Sequence, residues 1–219
     1  MTKHILIVVT SANRINEDKE TGLWLSEFAE PYLAFTREGY AVTVASPLGG
    51  QTPIDPSSLG DVEPELLETR RFLERTVTLD VVDAASFDAI FLPGGHGTMF
   101  DLPDNKQLQR LLREFYESGK IVAAVCHGPA GLIRATRADG KPLVEGKRLT
   151  AFTDSEEKAA GLDAAMPFLL ETELRQAGAE FVAASDWADH VEVDGSLITG
   201  QNPQSTLQAA RAVIAKLKG

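Results

Sequence analysis

The chain has 219 residues, 43% of them hydrophobic, which is enough apolar material to bury a large core, and it reads as one domain over residues 1–219. Its formal net charge of -11 and scattered basic residues exclude a nucleic-acid binder, because phosphate contacts need clustered lysine and arginine. No run of about 18 apolar residues exists to span a bilayer. The start MTKHILIVVT enters a strand-like stretch without a signal-peptide cleavage pattern, so the expectation is no membrane association and a cytoplasmic location.

Short apolar strands alternate with amphipathic helices, the pattern of an α/β domain with a largely parallel sheet. HILIVVT (His4 to Thr10) is a first buried strand. Gly22 to Glu38 sets Leu25, Phe28, Tyr32 and Phe35 at helical spacing, and Gly39 ends that helix. AVTVASP (Ala41 to Pro47) is the second strand. Regularity weakens from Gly49 to about Ser86, read as an excursion over the sheet edge that serves as a lid or a dimer contact. DAIFLPGG (Asp88 to Gly95) is a buried strand ending in a glycine turn, and a helix over Asn105 to Ser118 leads to the strand IVAAV (Ile121 to Val125). Beyond it come a hairpin or loop, a strand at Arg148 to Thr153, a helix capped by Asp154 or Ser155, and a helix over Pro167 to Ala177. A strand at AEFVAAS, a hairpin turning at Asp194-Gly195 and a last helix from Pro203 to Lys218 complete the chain.

The most informative residue is Cys126, the only cysteine, which sits where IVAAV breaks into CHGPAGL. A lone cysteine after an apolar strand is usually inert packing. Here Gly128 and Pro129 follow at once, which fits a sharp strand-to-helix turn that lifts the side chain clear of the sheet, with a helix starting near Pro129. The N–H groups of that helix start favour thiolate, the nucleophilic form. The adjacent His127 strengthens a catalytic reading. One cysteine cannot form an internal disulfide and suits a reducing compartment. The four histidines show no ligand spacing, so no metal is expected.

The blocks TGLWLSEFAEPY, LPGGHGTMFDLPD, IVAAVCHGPAGL, PLVEGKRLTAFTDSEE and LITGQNPQS together resemble the ThiJ/PfpI superfamily of the glutamine-amidotransferase-like class. Within it the chain is most similar to the heat-shock-protein-31-type branch of glutathione-independent glyoxalases, also called glyoxalase III or D-lactate dehydratases. The resemblance implies a flavodoxin-like three-layer sandwich, usually a homodimer, acting on methylglyoxal or related 2-oxoaldehydes. It makes Cys126 the nucleophile, His127 its base, and Glu27 the carboxyl facing the thiol. The third carboxylate falls on Glu157, with Glu156 next to it as the alternative. No cofactor is implied, because turning a 2-oxoaldehyde into a 2-hydroxy acid is an internal redox reaction, and no cofactor motif is visible.

Glu27 lies between Leu25 and Phe28 on a core-facing stretch, so desolvation should raise its pKa and keep a neutral acid available. His127 can act only if its ring folds back beside the thiol, since neighbours on a strand point to opposite faces. Gly94 and Gly95 form a turn whose N–H groups can approach an oxyanion, and His96 either contacts substrate or is a structural turn residue. Trp24 and Trp187 either line a pocket or belong to the core. Rival readings are a cysteine hydrolase, for which the late His190-Val191-Glu192 offers a glutaminase-like pattern, a protein deglycase, and a stress chaperone or thiol redox sensor.

Overall fold

In the computed structural model, which describes residues 2–219, the alternation resolves in chain order. It begins β1 (His4–Val8), α1 (Leu25–Arg37), β2 (Ala41–Ser46), α2 (Pro64–Glu68), β3 (Val77–Thr78), β4 (Ala89–Leu92), α3 (Thr98–Asp101) and α4 (Lys106–Glu117). It continues β5 (Ile121–Val125), β6 (Arg148–Leu149), α5 (Asp154–Ala159), α6 (Leu170–Gln176), β7 (Glu180–Phe181), β8 (Val191–Asp194), β9 (Leu197–Gly200) and α7 (Thr206–Lys218).

Among the described residues the main sheet has seven strands in the order β3-β2-β1-β4-β5-β9-β8, and every pairing is parallel except the β8–β9 hairpin. The central strands are continuous apolar runs because both of their faces are covered. Leu6, Val8, Ile90, Leu92, Val122 and Ala124 pack with Leu108, Leu112 and Phe115 of α4 on one face. The alternating residues Ile5, Ile7, Phe91, Ala123 and Val125 meet Phe28 and Phe35 of α1 and Val213 of α7 on the other. That alternation makes the α/β three-layer sandwich with a mostly parallel central sheet that the sequence led us to expect. The parallel strands β1, β4, β5 and β9 all end at one edge, where ligands bind in such sheets.

Several local expectations are corrected. The first helix begins at Leu25, because Leu23 and Trp24 donate their backbone N–H groups to Pro53 and Gly94 and thereby tie two loops together. After Cys126 there is no α-helix. Gly128–Leu132 is a single 3-10 turn, since two glycines in five residues carry little helix propensity. The strand expected through Thr153 stops at Leu149 and pairs with β7 in a separate two-stranded sheet. From there the chain crosses the carboxyl edge of the main sheet, with Thr150 N–H donating to Thr199 Oγ1 and Phe152 N–H to the Cys126 carbonyl. Thr153, and neither Asp154 nor Ser155, caps α5 in a capping box with Glu156. The expected strand AEFVAAS shortens to β7, and the expected helix from Pro167 starts at Leu170. Residues 49–86 hold α2, β3 and short 3-10 turns against the β2 edge.

Among the described residues no helix is long and apolar enough to cross a membrane.

Candidate active site

β5 is buried along its whole length and delivers Cys126 in a left-handed conformation, φ 56°. That conformation costs a non-glycine residue about 1–3 kcal/mol and is held here from both sides. Its N–H donates to the Gly200 carbonyl of β9 at 2.9 Å, and its carbonyl accepts from Phe152 at 2.9 Å. Gly128 is what lets the chain leave, because a Cβ there would collide with the Leu92 carbonyl oxygen of β4. The elbow expected from the sequence therefore exists, built from backbone alone.

The left-handed step at Cys126 followed by a right-handed His127 (φ -86°) turns the imidazole back beside the sulfur. His127 Nδ1 lies 3.2 Å from Cys126 Sγ, and Nε2 lies 2.6 Å from Glu157 Oε2. An ionised carboxylate only accepts, so Nε2 carries the proton and Nδ1 presents its lone pair to the thiol. Burial, with His96 beside it, lowers the His127 pKa to about 4, so the ring is neutral and able to take a proton. Burial works against the charge on Glu157, but hydrogen bonds from His127 and His96 outweigh it and bring that carboxyl down to about 2. Glu157, not Glu156, therefore completes the line.

Glu27 sits in the first turn of α1 with no solvent exposure. Its Oε2 accepts from the Gly94 N–H at 2.6 Å. Its Oε1 makes no hydrogen bond, and the carboxyl group interacts with the Cys126 side chain. Burial raises the Glu27 pKa to about 8, so it is a neutral acid at neutral pH, as expected. The same burial, together with the Glu27 carboxyl, pushes the Cys126 thiol up. The sequence suggested the opposite. A five-residue 3-10 turn has too little aligned dipole to favour thiolate, and the acceptor within reach of the thiol is His127 Nδ1 at 3.2 Å.

Gly94 is also corrected as an oxyanion donor, since its N–H is already spent on Glu27. Gly95 (φ 97°) lines the cavity, and the His127 N–H points at the Cys126 sulfur. His96 is more than a turn residue. Its Nε2 meets Glu157 Oε1 at 2.7 Å, so the two oxygens of one carboxylate each serve one histidine, with the two rings 4.1 Å apart.

His96, His127 and Glu157 bring ligand atoms within 4.8 Å of one another, which spacing along the chain did not reveal because they come from three segments. Their N···O separations of 2.6 and 2.7 Å are proton-sharing distances. Ligand atoms on one tetrahedral ion would stand about 3.3 Å apart, wider than these hydrogen-bonded contacts. His190, in contrast, has its ring 3.1 Å from Glu192, and neither lines the cavity that holds Cys126. The glutaminase-like pattern thus stays away from the thiol.

The cavity has a volume of about 260 Å³. Its reactive floor is Cys126, His127, His96 and Gly95, and its walls are Trp24, Phe152, Trp187, Ala160, Pro203 and Gln204. None of residues 49–86 lines it, so the expected lid is not there. Phe152 and Gln204 lie inside the blocks that carry the resemblance but are not singled out by them, Ala160 lies outside them, and Trp24 and Trp187 are now placed as walls.

The DJ-1/PfpI family pattern matches residues 20–216. The chain is similar to glutathione-independent glyoxalase HSP31 of Saccharomyces cerevisiae, with 33% identity over 99% of this chain and 98% of that protein. It is also similar to glyoxalase 3 of Candida albicans, 31% identical over 96% of this chain and 97% of that protein. Among solved structures, glyoxalase III from Candida albicans superposes with a TM-score of 0.90 at 31% identity, covering 97% of this chain and 96% of that one. The Francisella tularensis Rapid Encystment Protein 24 KDa superposes with a TM-score of 0.95 at 34% identity, covering 99% of both chains. Fold, elbow and sequence agree, and the chain belongs to the DJ-1/PfpI family.

Proposed function

We propose that this protein is a glutathione-independent glyoxalase that converts methylglyoxal or a related 2-oxoaldehyde into the 2-hydroxy acid. The observation that carries the reading is a thiol held between two proton carriers of opposite readiness. His127 is neutral and 3.2 Å away, and Glu27 is buried and protonated. The thiol proton passes to His127 Nδ1, and the thiolate adds to the aldehyde carbon, forming the C–S bond of a hemithioacetal. Glu27 protonates the new oxyanion. The Glu27 carboxylate then takes the proton from the former aldehyde carbon while His127 gives its proton to the ketone oxygen. Return of the carbon-bound proton to the ketone carbon, with loss of the hydroxyl proton to Glu27, leaves the first carbon oxidised, the second reduced and a thioester. Water then cleaves the C–S bond, releases the 2-hydroxy acid and returns the proton to sulfur. Electrons and atoms balance with water as the only co-reactant. The N–H group of Gly95 is our candidate for holding the oxyanion.

We also read the chain as a single domain acting as a homodimer in the cytoplasm. The two core layers share one sheet, and a reactive thiol suits a reducing compartment. Sedimentation equilibrium tests the dimer.

Lactate formation from methylglyoxal without glutathione should be measured for the wild type, Cys126→Ala and Glu27→Gln. The wild type turns over, Cys126→Ala is inactive, and Glu27→Gln loses about 100-fold or more, the usual worth of a placed proton carrier. Absence of lactate from reduced wild type would sink the proposal and favour amide hydrolysis, and binding of unfolded clients that survives in Cys126→Ala would favour a chaperone.

A further inference from the structure

Glu156 takes no part in the proton line, yet it is fully buried and among the most heavily engaged side chains of the site. Its two oxygens accept five hydrogen bonds. Oε2 takes the N–H and Oγ1 of Thr153 at 2.9 and 3.0 Å. Oε1 takes the Trp187 N–H at 2.8 Å, Asn202 Nδ2 at 2.9 Å and Gln201 Nε2 at 3.2 Å. All five partners are donors, so both oxygens serve here as acceptors.

Trp187 is the reason this matters. Its backbone is left-handed, φ 63°, an outlier for a bulky aromatic that persists only where the surroundings over-determine it. The loop that carries it is stapled at both ends. Gln201 Oε1 accepts from Ala184 N–H at 2.8 Å, and Asn202 Nδ2 donates to the Ala188 carbonyl at 2.8 Å. Glu156 grips the middle. Its indole stands edge-on to Phe152 with ring centres 5.6 Å apart, remains 42% exposed at the cavity mouth, and faces the space above Cys126. Phe152 precedes Thr153, so one carboxylate fixes both aromatic walls.

We propose that Trp187 is a specificity-determining residue, held by Glu156 as a positioning residue, and that this wall selects 2-oxoaldehydes carrying an apolar, ring-sized substituent over the smallest ones. The proposal rests on the glyoxalase reading and names its substrate class. Methylglyoxal leaves most of a 260 Å³ cavity unfilled, whereas an aryl substituent has room to pack on the exposed indole that lines it.

The test compares methylglyoxal with phenylglyoxal as probes, using wild type, Trp187→Gly, Trp187→Phe and Glu156→Gln. Trp187→Gly relieves the left-handed strain, keeps the N–H that Glu156 holds, and so folds. It lowers the phenylglyoxal-to-methylglyoxal ratio of kcat/KM about tenfold, mainly through KM for phenylglyoxal, and Trp187→Phe restores most of that ratio. In a Trp24→Phe background, where Trp187 is the only tryptophan, Glu156→Gln shifts the emission to the red and makes it more open to acrylamide quenching. An unchanged phenylglyoxal-to-methylglyoxal ratio in Trp187→Gly overturns the specificity role. Unchanged emission in Glu156→Gln overturns the positioning role. Loss of the glyoxalase reading itself would show separately, as a wild type that turns over neither aldehyde, and the specificity role would fall with it.

Discussion

Two buried carboxylates of the site hold their protons in opposite ways. Glu27 has one backbone donor and an apolar surround, so it keeps its proton up to about pH 8, whereas Glu157 takes two histidine donors and ionises at about 2. His127, neutral above about 4, stands between Glu157 and the sulfur. The rate of a reaction that needs a neutral His127 and a protonated Glu27 must therefore fall on both sides. Measured between pH 3.5 and 9.5, kcat/KM is expected to be bell-shaped, with a lower limb near 4 and an upper limb near 8, each belonging to the coupled network and not to one group. A profile that keeps rising through pH 9 would remove Glu27 as the proton donor and leave simple thiol ionisation in control.

The elbow and the helices around it turn those residues into a site. β5 sets the height of Cys126, the Gly200 and Phe152 hydrogen bonds fix its left-handed turn, and Gly128 allows the return past β4. Gly128→Ala forces the backbone away from the Leu92 carbonyl. It is expected to cost roughly 2–3 kcal/mol in urea-unfolding stability. Because it displaces Cys126 relative to His127 and Glu27, kcat should fall about 100-fold even in the fraction that folds. Wild-type stability and rate in that variant would show that the elbow tolerates a side chain. A second tie holds the opposite rim, where Asp101 of α3 accepts from Thr10 Oγ1 and from the N–H groups of Ser11 and Ala12 just past β1. Burial raises its pKa to about 6. This device could not be read from the sequence, because an aspartate 90 residues away from its partner carries no local pattern.

At the scale of the whole molecule, the two carboxylates make stability depend on pH in opposite directions. Glu27 is raised from 4.5 to about 8, so the folded state binds its proton more tightly than the unfolded state does. Its contribution is fully present below pH 4.5 and is lost as pH rises through 8. Glu157, lowered to about 2, acts in the other direction, and its contribution disappears as pH falls from 4.5 through 2. Through Glu27 the melting temperature is thus expected to decline from about pH 4.5 to about 8 and to level off above it, and Glu27→Gln, an uncharged isostere, should flatten that decline in scanning calorimetry. An equal decline in both proteins would place the alkaline instability elsewhere. The sequence by itself determined the layered fold, because strands buried on both faces must be continuous apolar runs, and it marked Cys126, His127 and the elbow, because a sharp turn writes glycine and proline into adjacent positions. It pointed to Glu27 and Glu157 only through resemblance. Tertiary structure alone decided which of Glu156 and Glu157 faces the histidines, that His96 shares the carboxylate, that burial raises the thiol's pKa, and that Trp187 walls the cavity. Those outcomes depend on side chains from distant segments meeting across the edge of the sheet, and neither periodicity nor spacing along a chain records such a meeting.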